Sequence, residues 1–275
     1  MIPTVLTIAG TDPSGGAGIS ADLKTFSALG AFGTVVVTAV VAQNTRGVAS
    51  VHQLTGEQVR AQLENLLEDV HVDAIKIGML GTSDVIEQVA DVLASRPAPA
   101  VVLDPVMVAS SGDRLLEPDA VTALRERLIP QCDLITPNLP EAGDLLGLPA
   151  ATSLTGMATQ LGELHSLAPN VLLKGGHLSG QDSTDLLYAE GRTHELTAPR
   201  VDTTSTHGTG CTLSAAIAAL RPVRPTWEQA VREAKDYLTG ALQAADELRI
   251  GSGHGPVHHF HAIWPKDPGE STTPE

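Results

Sequence analysis

Cysteine, aromatic residues and positive charge are all scarce in this chain of 275 residues. Two cysteines, Cys132 and Cys211, do not describe a disulfide framework, so the expected compartment is reducing and cytoplasmic. Aromatics make up 3%, too few for an extended platform on which bases stack. Lys and Arg total 17 against 32 Asp and Glu, and the formal charge of −15 argues against nucleic acid or an anionic membrane as the main partner. No run of about 18 apolar residues is available to span a bilayer. Met1-Ile2-Pro3-Thr4 lacks the basic flank and apolar stretch of a secretory signal. A G-K-[ST] sequence is also missing, so a Walker-type phosphate loop is excluded. Any nucleotide substrate must therefore meet local positive potential inside an unfavourable global field.

What the chain does have is alternation. Apolar residues reach 42%, ordinary for a globular protein with a sizeable core. Short apolar runs at Val5–Ala9, Ala74–Ile77, Val101–Leu103, Leu134–Thr136 and Val171–Leu173 read as strands. Val35–Ala42 reads as one continuous strand, buried on both faces. Helical patterns lie between them: Gly18–Leu29, a helix capped by Thr55 and Gln58 through Leu67, Val85–Leu93, a helix opening at Pro118 and stopping near Pro130, and Glu141–Leu146. Leu186–Tyr188 and Thr193–Leu196 suggest a hairpin around Gly191-Arg192. Helices follow from Gly210 to Leu220 and from Trp227 to about Leu248. The order implies an α/β fold, a mostly parallel sheet with helices on both faces. No repeat and no linker divides residues 1–264, and the polar tail 265–275 is expected to be disordered.

Asp12, Gln43, Asp104, Asn138 and Lys174 all fall just beyond the C-terminal ends of proposed strands, the edge along which open α/β sheets bind ligands. The segment His207-Gly208-Thr209-Gly210-Cys211 frames a turn with two glycines and opens a small-residue helix. Main-chain N–H groups and the helix dipole at such a corner bind phosphate without a basic side chain. Cys211 in the first helical turn sits where a thiolate is favoured; its other reading is a small buried residue against the sheet. Bringing a thiol from about 8.5 to near 7 needs about 2 kcal/mol, the upper limit of what a helix N-terminus provides, so proton transfer during the transition state is expected rather than a pre-formed thiolate. Gly10 to Gly18 is a glycine-rich strand-to-helix connection, readable as a tight turn or as a pocket wall with Asp22 one helical turn further on. Asp104 and Glu141 offer hard oxygens suited to Mg²⁺, or else cap helices. Lys174 is placed to direct an ammonium at phosphates. His254, His258, His259 and His261 read as packing rather than as a zinc site. Together these features suggest phosphoryl transfer to a small molecule.

The stretches Thr7–Gly18, Val41–Thr45, Lys76–Leu80, Val102–Met107, Ile135–Ala142, Leu173–His177, Thr206–Ser214 and Gly255–His261 resemble the hydroxymethylpyrimidine/phosphomethylpyrimidine kinases of thiamine biosynthesis, members of the ribokinase-like superfamily. The resemblance runs nearly end to end. It implies a single kinase domain over 1–264, a homodimer, and two successive transfers from ATP with Mg²⁺. The acceptors would be 4-amino-5-hydroxymethyl-2-methylpyrimidine and then its monophosphate. By similarity Gln43, Gly10, Asp22, Met79 and Val106 form the pyrimidine pocket. Lys174, Asn138, Lys235 and Asp104 serve the nucleotide, Glu141 and Asp104 lie near Mg²⁺, and Gly208, Thr209, Gly210 and Cys211 carry the transfer. Much of the superfamily has aspartate where Cys211 stands, which favours the pyrimidine kinases over sugar kinases. Pyridoxal kinase is the nearest alternative, and a non-catalytic pyrimidine-binding module is the alternative of another class.

Overall fold

A computed structural model of the chain describes residues 1–96, 99–108, 115–117 and 119–265. Pro118, the expected helix start, and residues 266–275 of the expected tail lie outside the described residues. Strands β1 (Thr4–Ala9), β2 (Phe32–Val37), β3 (Ala39–Asn44), β4 (Gly47–Gln53), β5 (Ala74–Ile77), β6 (Ala100–Leu103), β7 (Leu134–Ile135), β8 (Asn170–Leu173), β9 (Asp182–Ala189) and β10 (Arg192–Pro199) alternate with helices. The helices are α1 (Gly18–Ala28), α2 (Gly56–Asp69), α3 (Ser83–Ala94), α4 (Ala120–Ala123), α5 (Leu139–Leu146), α6 (Leu154–Leu164), α7 (Thr209–Leu220) and α8 (Trp227–Gln243).

An eight-stranded sheet runs β10-β9-β8-β7-β6-β5-β1-β2. β2, β1, β5, β6, β7 and β8 pair in parallel, and the β9–β10 hairpin closes one edge antiparallel. Alternation along each strand sorts two cores. Leu6, Ile8, Ile75, Ile77, Val101 and Leu103 face α2, α3, α5 and α6. Val5, Ala74, Val102, Leu134 and Leu172 face α1, α7 and α8. Such strands have no solvated face, which is why they read as unbroken apolar runs. Helix α7 is apolar all round because it lies in the second core: every residue from Thr212 to Leu220 is buried. No helix among the described residues is long and apolar enough to cross a membrane.

Local chemistry sets the helix starts. The expected Thr55/Gln58 capping box forms on α2, and a second one, Asn138/Glu141, opens α5. Ser153 accepts from Gly156 N–H to start α6, an element with no counterpart in the sequence reading.

One expectation needs correction, and two helices reach their expected ends with a change of pitch. Val35–Ala42 is not one strand. The chain breaks at Thr38, whose N–H donates to Ala9 O (3.0 Å) and whose hydroxyl donates to Met79 O (2.7 Å). Beyond that anchor β3 leaves the main sheet and pairs antiparallel with β4. The helix near Pro130 changes pitch: α4 passes into a π-helical turn at Leu124–Leu128 and a 3₁₀ turn at Ile129–Gln131, where Pro130 has no N–H to offer. Helix α8 stops at Gln243, and a 3₁₀ turn at Ala245–Glu247 follows.

Candidate active site

The C-terminal ends of β1, β5, β6, β7 and β8 open onto a cleft of about 720 Å³. Gly10 follows β1, Met79 follows β5, Asp104 and Val106 follow β6, Asn138 follows β7 and Lys174 follows β8, and all line this cleft. Asp104, Asn138 and Lys174 of the polar edge expected from sequence therefore form one wall; Asp12 is buried beside it, and Gln43 lies within β3, off the main sheet, rather than past a strand end.

The turn Gly208–Cys211 lines the same cleft and is not plugged by neighbouring side chains. Gly208 is the N-cap of α7 in the left-handed region, φ 76°, and a Cβ there would stand 1.8 Å from Gly16 O, so no other residue fits. Thr209 N–H donates weakly to Thr206 O (3.4 Å) and Thr212 N–H to Gly208 O (2.8 Å). The amides of Gly210 and Cys211 belong to the first-turn donors that a helix cannot itself satisfy. Opposite them a Cβ on Gly210 would meet Lys174 Nζ at 3.2 Å and Asp104 Oδ2 at 3.3 Å. The missing Cβ lets the Lys174–Asp104 ion pair stand directly against the N-terminus of α7.

Asp104 is 1% exposed and accepts at Oδ1 from Thr136 Oγ1 (3.0 Å) and Lys174 Nζ (2.7 Å). Lys174 also lies 3.9 Å from Glu141 Oε2. Burial opposes the lysine charge, but the Asp104 and Glu141 carboxylates outweigh it and hold its pKa above the ordinary value. Burial pushes Glu141 up to about 7, against the pull of Lys174. The capping reading of Glu141 holds, with Oε2 accepting from Asn138 N–H (2.8 Å), and the residue also lines the cleft. Asn138 Oδ1 is likewise occupied by Glu141 N–H (2.9 Å), which leaves its amide NH₂ for a ligand.

Cys211 does not sit as a thiolate. Burial pushes its thiol up to about 11 in spite of the nearby Lys76 ammonium. Lys76, unremarked in the sequence reading, is fully buried and donates to both oxygens of Asp22 at 2.9 Å. Burial opposes its charge, but Asp22 overrides that and raises its pKa. This corrects the placement of Asp22. It is 0% exposed, accepts from Thr7 Oγ1 (2.6 Å) as well, and lies behind the pocket wall rather than on it. Period-2 alternation could have found the pair: Lys76 shares the α1/α7 face of β5 with Ala74, where an ammonium needs a carboxylate.

At the other end Ala39, Val41 and Met79 form an apolar floor with Val106 and Leu115 packed on it. Gln43, half-buried, reaches the cleft at a register shift between Ala42 and Gln43. A bulge there re-aims one polar side chain from an otherwise regular strand. Lys235 lines the cleft but is tethered, donating to Asp185 Oδ2 at 2.5 Å, and Asp185 Oδ1 accepts from Gly175 N–H (2.8 Å). Arg200 straps the loop after Lys174 by donating to the carbonyls of Gly180, Gly176 and Leu178. Asp185 and Arg200 lie on the hairpin strand β9 and just past β10, and nothing in the local sequence marks them.

Of the C-terminal histidines, His258 and His259 are buried and His261 is half-buried, as the packing reading expects, whereas His254 is exposed. His259 Nε2 shares a 3.1 Å hydrogen bond with Thr212 Oγ1, Tyr237 OH donates to His259 O (2.6 Å), and burial pushes the imidazole down to about 3. Among the described residues no three His, Cys, Asp or Glu side chains gather into a metal shell.

A parallel sheet with an N–H corner, a lysine and two carboxylates at its C-terminal edge defines a small-molecule kinase of ribokinase-like fold. Comparison with known proteins narrows the class. A sequence model described as phosphomethylpyrimidine kinase matches residues 12–258, and the chain belongs to that family. It is 56% identical over 260 residues to the hydroxymethylpyrimidine/phosphomethylpyrimidine kinase of Escherichia coli, covering 94% of this chain and 98% of the relative. Among solved structures, an ADP complex of Bacillus subtilis pyridoxal kinase superposes with a TM-score of 0.88 at 36% identity, over 95% of this chain and 99% of the other. Pyridoxal kinase from Staphylococcus aureus in complex with AMP-PCP and pyridoxal gives 0.87 at 34% identity, over 96% and 95%.

Proposed function

We propose that the chain transfers the γ-phosphoryl group of ATP to the hydroxymethyl group of 4-amino-5-hydroxymethyl-2-methylpyrimidine, and then to the resulting monophosphate, giving the diphosphate used in thiamine biosynthesis. The observation that carries this reading is the single cleft in which the Gly208–Cys211 corner and Lys174 stand at one end and Gln43 with the Met79 floor at the other. A side-chain amide both donates and accepts, which suits an aminopyrimidine edge. The neutral heterocycle meets apolar surface, and the phosphates meet N–H groups.

Transfer in this site is mostly positioning and electrostatics. The Gly210 and Cys211 amides hold the oxygens of the transferring group, and Lys174 neutralises charge on the opposite side. Asp104 and Glu141 would hold Mg²⁺. Their donor set fits: both are carboxylates, the hard oxygen donors that suit this ion, and a complete shell would need further ligands from outside the protein. When bound, the ion supplies neutralisation of the ATP phosphates. The minor thiolate form of Cys211 accepts the alcohol proton as the new O–P bond forms and the bond to ADP breaks, and the resulting thiol returns that proton to solvent. The monophosphate, with a second pKa of about 6, arrives ionised and needs no acceptor.

The kinase unit of this reading is residues 1–264, cytoplasmic and assembled as a homodimer. Phe32, 64% exposed on the free edge strand β2, supports the dimer, and sedimentation velocity tests it. ADP release measured with the pyrimidine alcohol, its monophosphate and pyridoxal tests the activity. A clear preference for pyridoxal, the acceptor bound in a close structural neighbour, would replace the pyrimidine reading. No ADP release with any acceptor would leave a binding module.

A further inference from the structure

In-line transfer needs its two reacting groups about 3–3.5 Å apart, and a 1 Å error can cost about 100-fold in rate. In this cleft the two groups are held by segments far apart in the chain. The glycine-rich loop after β1 brings Gly10, Thr11, Ala17 and Gly18 to the cleft, and the turn before α7 brings Gly208 to Cys211. What fixes one against the other is Asp12. Its Oδ1 accepts from Ser14 N–H (2.8 Å) and Ser14 Oγ (2.7 Å), and its Oδ2 from Gly16 N–H (3.1 Å) and Ala17 N–H (2.7 Å). The remaining contact at Oδ2 is His207 Nε2 at 2.8 Å, across 195 positions of sequence.

We propose that the Asp12–His207 pair is the positioning element of the transfer, tying the acceptor-side loop to the phosphate-side turn so that the two substrates meet in register. The proposal rests on the kinase reading of this cleft. Asp12 shapes its own loop through main-chain donors, and His207 is the residue immediately before the Gly208 cap. A shift of the imidazole therefore moves the anion corner directly. The contact is close-packed on both sides: a Cβ on Gly16 would lie 2.5 Å from His207 Cδ2, and Gly208 abuts Gly16 O. A third segment completes the joint, because His207 N–H donates to Gly255 O (3.0 Å). Burial works against the Asp12 charge, but the bonds from His207 and Ser14 hold it down to about 2, so the carboxylate keeps its donors across the working pH range. His207 itself lines the cleft, and in this scheme it is a positioning residue. It acts through the turn that follows it.

The test compares His207→Leu, His207→Gln and His207→Asn with the wild-type chain, on whichever acceptor the wild-type enzyme phosphorylates. Folding is checked by thermal melting, so that rates refer to folded enzyme. The expected result for His207→Leu is a kcat lowered about 100-fold, with KM for acceptor and ATP within about threefold of wild type. His207→Gln, whose amide N–H reaches toward Asp12, is expected to recover to within about fivefold of wild-type kcat. His207→Asn, too short to reach, is expected to behave like the leucine variant. A loss carried by KM with kcat intact would overturn the proposal, as would equal impairment of the Gln and Leu variants. A wild-type chain that phosphorylates no acceptor would overturn the kinase reading itself and the positioning role with it. That result is distinguishable because it precedes any substitution.

Discussion

At the level of single residues, the site turns on one thiol that is harder to ionise than its helix position suggests. With the Cys211 thiol pushed up to about 11 by burial, only a small thiolate fraction exists at pH 7, and it grows tenfold with each pH unit. If that thiolate takes the alcohol proton, kcat for the first transfer rises with a slope of about one in log kcat between about pH 8 and 9, above the titration of Glu141. The second transfer, to an acceptor that is fully ionised there, stays flat over the same window. Cys211→Ala is expected to slow the alcohol step by about 100-fold or more and the phosphate step by less than about fivefold. Rapid-quench measurement of each step in both proteins checks this, and equal losses in the two steps would reduce Cys211 to a positioning residue. Gly208 gives a second residue-level expectation. Its positive φ and the 1.8 Å approach of an added Cβ to Gly16 O leave Gly208→Ala no relaxed conformation. A loss of ATP affinity exceeding about tenfold, read by isothermal titration, is expected from the displaced N–H corner.

At the level of elements, the C-terminal segment is a structural wedge against α7, and its histidine reports on it. Burial moves His259 from the ordinary 6.5 to about 3. Between those values the unfolded chain binds a proton that the folded chain refuses, so stability is complete above about 6.5 and falls as pH drops toward 3. The loss by pH 4 is on the order of 3 kcal/mol. His259→Gln, which keeps a polar partner for Thr212 without a titrating ring, is expected to flatten that limb of the urea-midpoint curve between pH 7 and 4. Asp12 contributes separately and lower down, as pH falls from the ordinary 3.8 toward 2. These elements also show what a sequence can and cannot disclose. The parallel strands β1, β5, β6 and β8 are legible because burial on both faces makes them unbroken apolar runs. The Gly208–Cys211 corner is legible because left-handed backbone before a helix demands glycine. The break at Thr38 is not legible, since a threonine within a β-branched run continues a strand as readily as it anchors a bend. Asp22 reads as a wall residue when taken alone, since its partner Lys76 lies 54 positions away; the alternation in β5 signals that Lys76 needs a buried carboxylate, and the fold shows which one. Asp104, Asn138 and Lys174 lie at strand ends as the sequence predicts, but the bond between Asp104 and Lys174 depends on the order β6-β7-β8, which is a tertiary fact.

At the level of the whole molecule, charge and site oppose each other. A formal charge of −15 repels ATP and the monophosphate acceptor at long range, whereas Lys174 and the N-terminus of α7 attract them only inside the cleft. The two fields differ in reach, so salt separates them. The screening length shortens from about 30 Å at 0.01 M to about 8 Å at 0.15 M, which removes the repulsion felt across the surface and leaves contacts within the cleft nearly intact. Raising NaCl from 0.01 to 0.15 M is therefore expected to increase kcat/KM for ATP and for the monophosphate about two- to fivefold. The neutral pyrimidine alcohol, measured at saturating ATP, serves as the internal control and should not respond. Steady-state kinetics at constant free Mg²⁺ makes the comparison. A fall in kcat/KM for the anionic substrates over that range would mean that positive potential extends beyond the cleft mouth, and that the acidic surface is arranged to leave an attractive path to the Gly208–Cys211 corner.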